Sequence, residues 1–557
     1  MSRVTTPLLA ALTFAAPLGA APQDAPWFTD VTEGALPGVT TTCGARAKAY
    51  ILEVNGGGVG LGDLDLDGDL DLVVVDGSTL ARYAAGEPGM PPRVFLNDGR
   101  GHFAPGGAEW RLAAGRWGTG CALGDVDADG DLDLVVTQWG PDQLYLNDGG
   151  RGFAAARALT ATSAPEWSTS ATFLDYDADG QLDLYIAHYL VPELDAGSAY
   201  GGSWKGHPVM RGPMGLAPAP DTLLRGRGDG TFADVSATCG LASAAPGFGL
   251  GVLTLDADRD GDTDLFVTND SSPNHLWVNQ GDGTFVERGL RLGVSHDGEG
   301  RAQASMGIAI GDLDGDGGED LFVTNFSSEA NTLYMSRATG AFRDHSTRRA
   351  LVAPSVRLLG WGTGLQDVDF DGDLDLWVLN GHVYPEADLA GTDTSYAQPD
   401  QLLVQGADGR FAPRALRAGP DDVSRAGAQG DLDGDGDLDL VVMTLDGPVR
   451  VLRNDAPRPQ GARWLGVRLR AETGNTSGLG ARVTLARGAA RATRELRGSG
   501  GFQAACPVEA HFAWLSDDAA APLSLDIRWP DGTSQRLDAV APDQWLTVHR
   551  ERQGGPR

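Results

Sequence analysis

The chain has 557 residues, 41% hydrophobic and 21% charged, and its 43 Lys and Arg face 76 Asp and Glu for a formal charge of −33. That length supports several domains and excludes a small disulfide scaffold. The charge excludes nucleic acid and anionic membrane as natural partners, so something cationic should answer it.

The first segment, MSRVTTPLLAALTFAAPLGAAPQ, joins a short region with Arg3 to an apolar stretch and then to small residues around Ala20 and Ala21. It reads as an export signal over 1–21, which implies a periplasmic or extracellular protein. No later run is long enough to span a bilayer, so no membrane insertion is expected. Cys43, Cys121, Cys239 and Cys506 are scattered without CxxC spacing, which argues against zinc or redox chemistry and leaves their pairing open.

One nonapeptide, D-x-D-x-D-G-x-x-D, recurs seven times between residues 63 and 439, starting at Asp63, Asp125, Asp175, Asp256, Asp312, Asp367 and Asp431. Each copy runs into a β-branched or aromatic stretch such as LVVVD, LYIAH or LFVTN, which reads as a buried strand. A glycine-rich stretch precedes most copies, and a strand, a Gly-containing turn and an aromatic restart follow, as in LWVNQGDGTF. Four strands repeated seven times predict an all-β chain, a seven-bladed β-propeller over 22–457. Only VRVLRNDA remains after the seventh loop, so the last blade should borrow a strand from the segment around Trp27 to Val31. Short alternating strands then predict a small β-sandwich-like domain over 458–557, a separate fold unit.

An Asp every second residue around a Gly lets a tight loop aim several hard oxygens at one point, which is what Ca2+ requires. Positions 1, 3, 5 and 9 offer side chains, position 7 its carbonyl, and the Gly at position 6 the turn. The candidate ligands are Asp63, Asp65, Asp67, Asp69 and Asp71; Asp125, Asp127, Asp129, Asp131 and Asp133; and Asp175, Asp177, Asp179, Gln181 and Asp183. They continue with Asp256, Asp258, Asp260, Asp262 and Asp264; Asp312, Asp314, Asp316, Gly318 and Asp320; Asp367, Asp369, Asp371, Asp373 and Asp375; and Asp431, Asp433, Asp435, Asp437 and Asp439. About seven Ca2+ sites are expected. An EF-hand would need a Glu at position 12, where these loops carry Val or Ile inside strands.

No G-x-S-x-G, H-E-x-x-H or phosphate loop occurs, and the nine histidines are dispersed, so the expectation is a binding protein rather than an enzyme. Antiparallel alternation puts three long connections, 76–93, 188–222 and 381–401, on the face opposite the calcium loops. His188, Trp204, His382 and Tyr384 there are the candidate ligand-binding residues, for a protein or glycan. Packing of the inserts onto the propeller is the plainer reading of the same side chains. A structural part of an envelope or matrix is the alternative function, and a hydrolase assembled from several blades a further one.

The repeats resemble FG-GAP/VCBS units, as in the propeller of integrin α chains. Their order resembles the cartilage acidic protein 1 family, which joins such a propeller to an ASPIC/UnbV domain. The matching stretches are WFTDVTEGALPG, ASMGIAIGDLDGDG, LFVTNFSSEANTLY, NGHVYPE at 380–386, GLGARV at 478–483, GSGGF at 498–502, HF at 511–512 and RWPDG at 528–532. The resemblance implies calcium binding and export. The segment SWKGHPVMRGPMGLAPAPD departs from it by lacking the expected cysteines, which puts a local disulfide there in doubt.

Overall fold

The computed structural model describes residues 25–155, 157–159, 167–191, 200–515 and 522–550; residues 1–21, where an export signal is expected, lie outside them. Seven sheets, each with four antiparallel blade strands, form the blades of a β-propeller. The fourth blade, for example, runs Gly249–Leu255, Asp264–Asn269, His275–Asn279 and Phe285–Glu287 from the axis outward. Second strands are buried along their whole length, as in Asp264–Asn269 and Asp320–Asn325. Both of their faces pack on neighbouring blades, which is why the sequence there is a continuous apolar run rather than an alternation. Innermost strands crowd the axis and need small residues. A Cβ on Gly251 would lie 2.3 Å from the Gly501 carbonyl oxygen and 2.5 Å from that of Met306, closer than side-chain carbons come to such atoms.

The ring closes as the sequence expects. Phe28–Asp30 pairs antiparallel with Arg450–Asn454, matching Phe28 to Asn454 and Asp30 to Leu452, and supplies the outer strand of the seventh blade.

The C-terminal residues form two further sheets. Ala462–Arg470 lies between Glu509–Leu515 and Trp545–His549, and Arg482–Arg487 lies in a four-stranded sheet with Ala490–Glu495, Leu523–Arg528 and Ser534–Val540. They enclose their own apolar core, which includes Leu465, Val467, Val483, Phe512, Leu525 and Trp529. Read from sequence, this region is a separate unit, and the structure amends that reading. Residues 497–506 leave the two sheets and fill the propeller axis. Ala504–Ala505 pairs in parallel with Val59 and Gly60 of the first blade. The Gln503 amide donates to Ser170 Oγ at 2.8 Å, and Ser499 Oγ donates to the Val252 carbonyl at 3.0 Å. Phe502 is wholly buried against Trp361, in one apolar cluster with Trp117, Trp139 and Trp167. The run GSGGF gives a sequence reader no hint of this, because Gly and Ser there look like an ordinary turn.

Candidate metal centres and the opposite face

The seven acidic loops each join the innermost strand of a blade to its second strand, and they share one backbone pattern. The Gly at position 6 has φ between 84° and 103° in all seven, from Gly68 to Gly436, the left-handed region where only glycine is free of strain. Position 4 is left-handed as well, in Leu66, Ala128, Ala178, Arg259, Gly315, Phe370 and Gly434. Five of those are not glycine, a cost the sequence pattern did not announce.

The position-9 carboxylate has a double duty. In every loop one oxygen accepts the position-2 amide and the other accepts an amide from the third strand. For Asp133 the donors are Val126 at 2.8 Å and Asn147 at 2.9 Å; for Asp264 they are Ala257 at 2.8 Å and Asn279 at 2.7 Å. Asp71, Asp183, Asp320, Asp375 and Asp439 repeat it. A carboxylate has about four lone-pair sites, so these bonds leave room for a metal.

The residues fit a hard cation. In the second loop, oxygens of Asp125, Asp127 and Asp133 lie within 4.8 Å of one another, and Asp63, Asp65 and Asp71, or Asp175, Asp177 and Asp183, do the same. Asp63, Asp127, Asp131, Asp175, Asp256, Asp369, Asp433 and Asp437 each hold a buried Oδ1 with no hydrogen-bond partner. Buried acceptors are normally satisfied, so such a set fits a cation. Burial pushes the carboxyls of Asp133, Asp183, Asp264 and Asp375 up to about 8, with the neighbouring carboxylates adding to it. A bound cation reverses that penalty.

The loop face is covered. Residues 462–557 hold 13 arginines against ten acidic residues, whereas the chain as a whole is strongly acidic. Their underside meets the loops around the ring. Arg468 donates to the Gly68 carbonyl at 2.9 Å, Arg482 pairs with Asp256 at 3.1 Å, and Arg497 pairs with Glu319 at 2.6 Å. His511 Nε2 donates to the Gly436 carbonyl at 2.9 Å, Trp545 Nε1 to Asp431 at 2.7 Å, and the Thr476 hydroxyl to Asp125.

On the opposite face the inserts meet. The hairpin Gly202–Trp204 and His207–Val209, from the third blade, reaches the insert of the sixth, where Lys205 pairs with Asp393. The Trp204 ring lies 4.6 Å from His382 and 5.7 Å from Tyr384, and Phe326 packs on both of those rings. Two of the four candidate ligand residues need correction. His188 is buried and hydrogen-bonded to Thr222 at 3.0 Å, away from any surface, because it ends a second strand rather than opening the insert. His382 is buried too. Its Nδ1 accepts the Tyr384 amide at 3.1 Å, so Nε2 carries the proton and donates to Ser327 at 3.1 Å; this imidazole cannot take a proton from that serine. Desolvation pushes His188 down to about 4 and His382 to about 3. Trp204 and Tyr384 stay partly exposed. All four cysteines are free thiols, and burial pushes Cys43 and Cys506 up to about 11.

A family model for the FG-GAP-like repeat matches residues 63–136, 125–186, 256–323 and 312–378, which takes in the first six loops, and the model named ASPIC and UnbV matches 471–555. The chain is an FG-GAP-like repeat propeller joined to an ASPIC/UnbV domain. It is similar to cartilage acidic protein 1 of Xenopus tropicalis, 28% identical over 333 residues, 58% of this chain and 47% of that protein. The Homo sapiens protein is 27% identical over 326 residues, 56% and 45% of the two chains. The chain thus spans about half the length of the curated relatives it matches. Among solved structures, an Agrocybe aegerita lectin that recognises non-reducing terminal N-acetylglucosamine overlaps at a TM-score of 0.36, with 16% identity over 69% of this chain and 84% of that one. BBS1N, solved in complex with ARL6DN, overlaps at 0.41, with 10% identity over 77% and 98%. Overlaps this loose bear on neither ligand nor mechanism.

The FG-GAP-like blades use residues that sequence reasoning passed over. Asn147 at the end of its third strand donates to the Leu64 carbonyl in the loop of the preceding blade at 2.8 Å. Asn279 does the same to Tyr176 at 2.8 Å, Asn454 to Val368 at 3.1 Å, Gln405 to Leu313 at 3.3 Å, and Asn97 to Leu432 at 2.9 Å across the ring closure. The recurring Asn in VFLND, LYLND, LWVNQ and VLRND was visible, but it reads as turn chemistry until the blades are placed side by side.

Proposed function

We propose that this chain is an exported, calcium-loaded binding module whose protein or glycan ligand contacts the insert face. The observation that carries this reading is the coverage of the two faces. The loop face lies under the ASPIC/UnbV domain, while the insert face leaves Trp204 and Tyr384 partly exposed in an aromatic cluster on a rigid ring. Aromatic surfaces held by a scaffold suit sugar rings and protein side chains alike. The orphaned Oδ1 atoms support Ca2+ in the loops, where it would neutralise clustered carboxylates and pin the start of each second strand. The N-terminal run after Arg3 supports export.

The test is capture from extracellular or envelope extract, together with a glycan array, for the wild type and a Trp204→Ala, Tyr384→Ala double variant. The variant should lose what the wild type binds, with calcium content and melting temperature unchanged. Full retention of binding would move the ligand to another surface.

A further inference from the structure

We infer that the ASPIC/UnbV domain completes the metal centres of the propeller: Thr476 and Trp545 are positioning residues that aim the first carboxylates of the second and seventh loops at their cations. This rests on the calcium reading above.

The first carboxylate of a loop is held in a consistent way. In six loops its Oδ2 accepts the amide of the position-6 glycine, at 2.9 Å for Gly130 to Asp125 and at 3.1 Å for Gly436 to Asp431. The domain's donors choose that same oxygen. The Thr476 hydroxyl reaches Asp125 Oδ2, Trp545 Nε1 reaches Asp431 Oδ2 at 2.7 Å, and Arg482 reaches Asp256 Oδ2 at 3.1 Å. With Oδ2 held by two donors, rotation of the carboxylate is restrained; Oδ1 accepts one loop amide, Asp129 at 3.1 Å for Asp125 and Gly434 at 2.8 Å for Asp431, and keeps a lone pair for a cation.

The interior is where acceptors go unmet. Asp127 and Asp433, at position 3 of the same two loops, each have a buried Oδ1 without a partner, and so do the position-7 side chains of Asp131 and Asp437, 2% and 4% exposed. Asp256 Oδ1 is likewise unpartnered beside its Arg482 contact. Thr476 is itself buried, so its hydroxyl was not placed there for solvent. Fixing the outer oxygen of a ligating carboxylate is the usual task of groups one layer out from a metal, and their loss costs about 10- to 100-fold in affinity.

Binding equilibria are reciprocal, so a domain that raises calcium affinity must be held more firmly when calcium is present. The electrostatics oppose this in part, because Ca2+ weakens the attraction between acidic loops and the domain's arginines. We assign the outcome to geometry, since Thr476 and Trp545 are neutral donors whose bonds depend less on net loop charge than the arginine pairs do.

The test uses the full chain, stripped of metal and titrated with Ca2+ by calorimetry, as wild type and as a Thr476→Val, Trp545→Phe double variant that keeps shape and loses both donors. About two sites should weaken roughly tenfold or more while the others keep their affinity. In a second measurement on the wild type, Ca2+ should slow amide exchange at 474–480 and 543–547. Unchanged isotherms in the variant, or exchange at those residues that ignores Ca2+, overturns the inference while leaving the calcium reading intact. A wild type that takes up no Ca2+ overturns both.

Discussion

The two faces of this propeller are built from the same seven blades and solve opposite problems. On the loop face the connections are short, repeat one nine-residue pattern and concentrate negative charge, and the Arg-rich underside of the ASPIC/UnbV domain lies over them. On the insert face three connections are long, differ from one another and bury aromatic rings over the end of the axis. A repeated charge cluster must be compensated identically seven times, so its sequence is constrained and legible. An apolar lid can be assembled from unrelated segments, so its sequence is not.

Chelation should break the symmetry of the two faces most strongly. Ligand binding to the folded state alone contributes about 2.7 kcal/mol per site at a hundredfold excess over Kd. EGTA should therefore lower the melting temperature by many degrees, and amide exchange should rise first around residues 250–270 and their counterparts on the loop face. An unchanged melting temperature after verified metal removal would sink the staple role of the ions.

Phe502→Ala tests whether the two faces are joined through the axis. The side chain is fully buried against Trp361, and truncating a buried Phe costs about 3–5 kcal/mol. Calcium stoichiometry should persist, while tryptophan fluorescence reports a loosened cluster around Trp117, Trp139 and Trp167. Wild-type stability in this variant would show that the loop merely occupies the channel.

Acidification should act on the insert side through histidine. His188 and His382 have folded values of about 4 and about 3, against about 6.5 when unfolded. Below pH 6.5 the unfolded chain binds more protons than the folded one. Stability present above pH 6.5 is therefore lost progressively as pH falls towards 4, by at most roughly 1.4 kcal/mol per unit per site. His382→Gln should flatten the slope of melting temperature against pH in the metal-loaded protein between pH 6.5 and 4.5. An identical slope would locate the acid response elsewhere.

Asn147→Ala should have the smallest effect, about 1–3 kcal/mol, because it leaves the Leu64 carbonyl without its side-chain donor at one blade boundary. Its readout is local exchange between the first and second blades rather than global unfolding.

Much of this was legible beforehand. The period of the acidic loops gave blade number, strand order and the borrowed closing strand, because each depends only on local chemistry repeated in register. The shared geometry of the acidic loops was legible for the same reason, although the second task of Asp71, Asp133 and their equivalents was not, since their partners on the third strand come 14 to 43 residues later in the chain. His188 and His382 misled because sequence places them at the start of long connections, whereas burial depends on what those connections fold back upon. The axis-filling loop was invisible: its Gly and Ser are chosen for closeness to seven strands that lie far away in sequence.

The borrowed strand also fixes an order in time. Asp30 and Arg450, which form an ion pair at 3.1 Å within the closing blade, are 420 residues apart. A chain emerging from its N-terminus can finish six blades in sequence, but Phe28–Asp30 must wait unpaired until Arg450–Asn454 arrives, and residues 497–506 arrive later still. Blades one to six fold by local pairing, whereas the ring and its axis are sealed by the most distant contacts in the molecule, the slow kind. Until then the nascent protein is an open arc with two free edges.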